Sequence, residues 1–137
     1  MIKEFNNLEE MQKYYDKETN AYVFKEDDRY IDLVVFSFDL NIKANINAKD
    51  IKACDINAFN IDACDISAWD INVNDINANN INANDINARK IIYYAVCFAY
   101  NNIFCNSIIG LRKNSRLFVL DGVLEVEEKQ WGKRNLL

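Results

Sequence analysis

Isoleucine recurs at 46, 51, 56, 61, 66, 71, 76, 81, 86 and 91, each five residues after the last. Two residues after each of the first nine comes alanine, or valine at 73, and just before each stands Asp or Asn, with Lys90 closing the series. The unit is (Asp/Asn)-Ile-x-Ala-x. A step of five spreads the isoleucines around every face of an α-helix and alternates them between the two faces of a straight strand. If the backbone bends once per pentad, every isoleucine points the same way. Ile and Ala then share the inner face of a short extended segment, and Asp/Asn falls near the corner, where its side chain bonds local backbone and tolerates turn geometry. Four such bends predict a square coil of about 20 residues, with coils stacked at about 4.8 Å. That stacking sets Ile46 under Ile66 and Ile86. The six-residue step of a hexapeptide β-helix does not fit.

The flanks read as caps. Asn7-Leu8-Glu9-Glu10 offers an N-cap with Glu three residues on, predicting a short helix over 8–18. Segments 21–25 and 30–40 flank the charged run 26–29 and predict a hairpin. The alternation Val34, Phe36, Phe38, Leu40, Ile42, Ala44 carries one inward face into the first pentad. Beyond the repeat, 91–100 is apolar, and 116–120, Asp121-Gly122 and 123–127 predict a type I′ hairpin. The 137 residues are expected to form one mainly β domain, a quadrilateral β-helix or β-solenoid over 30–110. An N-terminal helix and first hairpin strand over 1–29 cap it, and a C-terminal hairpin and tail over 111–137 close it.

The stretch 45–91, as in Asp65-Ile66 and Asp75-Ile76, resembles the pentapeptide-repeat family, in which Asp or Asn precedes a large aliphatic. Alanine stands two after the aliphatic here, whereas the family's small residue stands two before it. The resemblance implies a four-sided β-helix. It also implies an interaction role, since some pentapeptide-repeat proteins act as DNA mimics that engage type II topoisomerases.

Composition narrows the chemistry. There is no His, which excludes Ser-His-Asp and Cys-His nucleophile pairs and every His-ligated metal site. Three glycines, at 110, 122 and 132, make no phosphate-cradling loop. The four cysteines form no C-x-x-C pair, so they are read as reduced thiols of a cytoplasmic protein. No apolar run of about 18 residues predicts a membrane helix, and the N-terminus lacks the apolar core of a secretory signal. Asp70-x-Asn72-x-Asn74 mimics the start of a calcium loop but has Asp75 where such a loop needs Gly and Ile81 where it needs Glu. Interchange of Asp with Asn at the corners argues for a shared hydrogen-bonding task rather than acid–base catalysis. The single Thr, at 19, leaves no threonine ladder for binding ice. The expectation is a non-enzymatic interaction protein without cofactor or metal.

Charge supplies the best functional hint. The chain carries 16 Lys and Arg against 21 Asp and Glu, so direct binding of nucleic acid through phosphates is not expected. Residues 53–88 hold six aspartates and no Lys or Arg. On the square coil that is about one charge per 1.4 Å of axis, near the one per about 1.7 Å of duplex DNA. The leading expectation is an acidic nucleic-acid mimic that inhibits or protects a DNA- or RNA-acting protein, whether by topoisomerase protection, anti-restriction or anti-CRISPR action. Asp55, Asp65, Asp70, Asp75 and Asp85 would supply the charge. Phe59 and Trp69 occupy outward slots as aromatic anchors, or else lie covered by the N-terminal segment. The alternative is a self-associating structural solenoid, a homodimer through its C-terminal end. A third reading is a basic C-terminal contact through Arg112, Lys113, Arg116, Lys133 and Arg134.

Overall fold

Each Ile-x-Ala triplet runs as a short extended side with both apolar residues turned inward. In the computed structural model, which describes residues 1–127, every repeat isoleucine is at most 2% exposed. The residues between and after them face out. The product is a mainly β solenoid of about six turns, 64% strand and 6% helical, with one short helix.

The coil has three sides rather than the expected four. Ile61 stacks on Ile46 and under Ile76, Ile66 on Ile51 and under Ile81, and Ile71 on Ile56. Stacked residues are fifteen apart, so three pentads close a turn. A period of five is met equally by coils of three or four pentads. The bend angle at each corner decides between them, and periodicity does not encode that angle. Neighbouring rungs are parallel. Residues Asp70–Cys105 stay extended for 36 residues, turning corners without breaking the ladder. Coils lengthen toward the ends: Val34 lies beneath Ile51, Ile91 beneath Ile108 and Cys97 beneath Leu117. The extra residues bulge from the corners, as in the loop around 111–115.

The N-terminal end is closed. Ile2–Phe5 lies parallel on Leu33–Phe36. The helix is a 3₁₀ segment, Leu8–Tyr14, shorter than the predicted 8–18 because the chain leaves it to pair Tyr15-Asp16 antiparallel with Ala21-Tyr22. Its N-cap forms as read, with the Glu10 N–H donating to the Asn7 side chain, but the Glu10 carboxylate reaches one residue further back and accepts the Asn6 N–H instead of the Asn7 N–H that a capping box would use. Met11 and Tyr14 are buried beside Phe5, Phe24 and Phe36. The first hairpin shrinks to Lys25–Glu26 with Arg29–Tyr30, turned by Asp27 and Asp28, both at positive φ as a type I′ turn requires. The strands on either side of it, Ala21–Val23 and Leu33–Phe36, instead join the coils in parallel.

The predicted C-terminal hairpin does not form. Arg116–Val119 stacks in parallel on Val96–Ala99, and Leu124–Val126 on Ile103–Cys105, so this segment is a further solenoid turn and the solenoid runs past 110. Each strand gains more by extending an existing ladder, which packs Leu117 and Val119 on the core, than by pairing with its neighbour. Gly122 does not serve a hairpin turn. A Cβ there would lie 1.9 Å from the Asn101 carbonyl oxygen and 2.4 Å from Asn102 Oδ1. Only glycine lets the last turn settle this closely on the one below. The predicted tail beyond 127, with Lys133 and Arg134, lies outside the described residues.

Candidate binding surface at the solenoid corners

Because the corner residue precedes each isoleucine, a fifteen-residue coil sorts the corner Asp and Asn into three vertical files. One holds Asp50, Asp65 and Asn80. There the Asn80 amide donates to Asp65 at 2.9 Å, and Asn80 Oδ1 accepts the Val96 N–H at 3.2 Å. A second holds Asn45, Asn60 and Asp75, where the Asn60 amide donates to Asn45 at 3.0 Å and the Asp75 N–H donates to Asn60 at 3.1 Å. In both, one rung's side chain satisfies a polar group of its neighbour, the hydrogen-bonding task expected from the Asp/Asn interchange.

The third file is nearly all carboxylate. Asp55, Asp70 and Asp85 rise one coil at a time, each just before an isoleucine of the same inner column as Ile56 and Ile71. Asp39 joins from below, accepting the Asp55 N–H at 3.2 Å. At the top Asp85 is held by Asn102, whose N–H donates to it at 3.1 Å, and by the Asn101 amide at 3.5 Å. Burial, followed by the neighbouring charges of Asp55 and Asp85, holds the Asp70 carboxyl above its ordinary range. Trp69 immediately precedes Asp70 and is 62% exposed, with its backbone N–H bonded to the Cys54 carbonyl beneath. Neither it nor Phe59, 39% exposed, is covered by the N-terminal helix, which closes the end of the core instead.

The candidate residues therefore divide. Asp55, Asp70, Asp85 and Trp69 share one edge. Asp65 stands on another corner, and Phe59 stands beside Asn60 and Asp75 on the third. Asp75 is not a free charge: Arg89 reaches down to it with a bidentate pair, Nε to Oδ1 at 3.2 Å and Nη2 to Oδ2 at 2.9 Å, which raises the Arg89 guanidinium pKa. Arg89 lies one residue beyond the base-free stretch, so the stretch is less isolated than its sequence suggested. On three-sided coils, 53–88 spans about 2.4 turns or ~12 Å, and its five unpaired aspartates amount to one charge per ~2.3 Å. Asp39 was missed because it precedes Leu40 rather than a repeat isoleucine. The register of Leu40 under Ile56 is what places it in the file.

Among the described residues, no three His, Cys, Asp or Glu are grouped to hold a metal ion. No helix there is long and apolar enough to cross a membrane. No protein-family model, curated protein or solved structure matches the chain.

Proposed function

We propose that the chain is a non-enzymatic interaction protein whose acidic corner occupies the basic, nucleic-acid-binding surface of a DNA- or RNA-acting protein. One observation carries this reading. Asp39, Asp55, Asp70 and Asp85 line one edge at the strand spacing, beside the exposed Trp69. Like charges stacked in register repel, while the other two corners hold mixed, hydrogen-bonded files. An edge that retains charge at a cost in stability suits a partner that neutralises it. Basic surfaces that track a phosphate backbone are such partners, and Trp69 supplies an aromatic anchor beside the charge.

The test is retention of host proteins on immobilised chain, compared with Asp55→Lys/Asp70→Lys. The wild type is expected to hold a nucleic-acid-acting protein that duplex DNA displaces and that elutes as salt rises. The reversed variant is expected to lose it. Retention unaffected by charge reversal and by competing DNA contradicts the reading.

A further inference from the structure

Between the Asp55–Asp70–Asp85 corner and the Asn60–Asp75 corner runs one side of the solenoid whose outward positions are asparagine through four coils. Asn41 stacks under Asn57 and Asn57 under Asn72, and Asn87 follows fifteen residues on. The other two sides are mixed at the same positions. One carries Asn47, Asp62 and Asn77, with Asn47 accepting the Tyr30 hydroxyl at 2.8 Å, and the other carries Lys52, Ser67 and Asn82. The four stacked asparagines are exposed and, unlike the corner Asn60 and Asn80, bond no neighbouring rung among the described residues. The exposed aromatics of the middle coils border this same side. Trp69 flanks its carboxylate edge. Phe59 flanks the opposite edge one coil lower, beneath Asn74, whose N–H donates to the Phe59 carbonyl at 2.6 Å. Asn74 lies five residues past Trp69, so the two aromatic residues stand up to about 17 Å apart along the strand direction.

Charge and hydrogen-bonding capacity select the occupant. The asparagine strip is uncharged, and the carboxylates along its edge repel an anionic chain, which disfavours phosphate backbones and acidic glycans. Its strands spend their backbone groups on the coils above and below, leaving no edge for an extended peptide to join. A primary amide offers donors and an acceptor together, the pairing that a sugar hydroxyl also needs. A pyranose ring, in turn, sets an apolar C–H face on an aromatic ring while its rim stays polar. Free amides repeating at about 4.8 Å between two aromatic faces suit a chain of such rings, and the span from Trp69 to Phe59 exceeds any single one. We infer that this side binds an uncharged oligosaccharide, its hydroxyls bonded to Asn57, Asn72 and Asn87 and its outer rings stacked on Trp69 and Phe59. The inference goes beyond the acidic-corner reading, because it rests on amides and aromatic faces rather than on charge.

Calorimetric titration of the full chain with neutral hexasaccharides of glucose, mannose, xylose and N-acetylglucosamine, alongside anionic oligogalacturonate, tests this. Binding of at least one neutral chain with a Kd below about 1 mM is expected, and it should not weaken as salt rises, because no charge is neutralised. Oligogalacturonate should bind at least tenfold more weakly. Asn57→Ala/Asn72→Ala is expected to weaken the neutral ligand at least tenfold, and Asn77→Ala, outward on a neighbouring side, to leave it unchanged. If circular dichroism shows that the paired asparagine variant has lost strand content, Phe59→Ala/Trp69→Ala takes its place with the same expectation. The proposal is overturned by a chain that binds none of the neutral hexasaccharides, or whose binding survives both paired variants. Preference for oligogalacturonate, or binding that falls away with salt, also overturns it, by assigning the contact to charged groups.

Discussion

Replacing Asp70 by Asn should stabilise the protein. Asp70 stands between Asp55 and Asp85, and its burial, followed by their charges, raises its carboxyl pKa. At the strand spacing of about 4.8 Å, Coulomb's law in water gives about 0.9 kcal/mol of repulsion per neighbour. Screening at 0.15 M salt roughly halves that, so two neighbours leave ~1 kcal/mol. Asn keeps the shape and removes the charge, and the gain corresponds to a rise in Tm of about 2–5 °C. A carboxyl whose pKa is raised on folding destabilises the folded state at pH above its folded pKa, and that penalty vanishes below the unfolded value of 3.8. The advantage of Asp70→Asn is therefore full at pH 7, shrinks as pH falls through the raised folded pKa, and is gone below about pH 3.8. It also shrinks in 1 M salt. Urea unfolding of the two proteins at pH 7, pH 3.5 and high salt measures all three. Asp62→Asn is the control, because Asp62 stacks between Asn47 and Asn77 and relieves no such repulsion. An Asp70→Asn that is neutral or destabilising at pH 7 in low salt would refute the stacked-charge reasoning, as would an equal gain from Asp62→Asn.

Other consequences follow from the corner files and the last turn. Asn60→Ala removes the amide bonded to Asn45 and strands the part-buried Asp75 N–H, so it should cost about 1–3 kcal/mol in denaturant unfolding. Asn77→Ala, outward on the same side, should cost under about 0.5 kcal/mol. Gly122→Ala drives a methyl into the Asn101 carbonyl and should destabilise by about 1–3 kcal/mol. Hydrogen exchange should locate that loss in residues 116–127 rather than the middle coils. Burial pushes the Cys97 thiol up to about 12 and raises that of Cys105, while Cys54 and Cys64 are half-buried. A thiol reagent at pH 8 should therefore label Cys54 and Cys64 in the folded protein, and all four cysteines only after unfolding.

Much of the architecture was legible because the inward set is written residue by residue: isoleucine and alanine two apart, polar residues elsewhere, and a helix N-cap at Asn7. The number of sides was not, since the corner angle leaves no trace in spacing. That single quantity also hid the acidic file. On a square coil Asp55 would stack under Asp75 and Asp65 under Asp85; on a triangular one Asp55, Asp70 and Asp85 align, and Asp75 falls to Arg89. Local signals misled where a longer-range ladder was available. Asp121-Gly122 has the composition of a hairpin turn, yet its glycine serves close approach to Asn101. The exposure of Trp69 depended on where the helix docks, which no local pattern states.

The central claim, three five-residue sides per coil, is open to a direct covalent test. Asn79 lies one coil above native Cys64, its N–H bonded to the Cys64 carbonyl at 2.7 Å, a stacking within disulfide reach. Mild oxidation of Asn79→Cys followed by peptide mass spectrometry should yield a 64–79 disulfide, and Asn84→Cys should yield no link to Cys64. A 64–84 link with no 64–79 link would mean twenty residues per coil and would contradict the account.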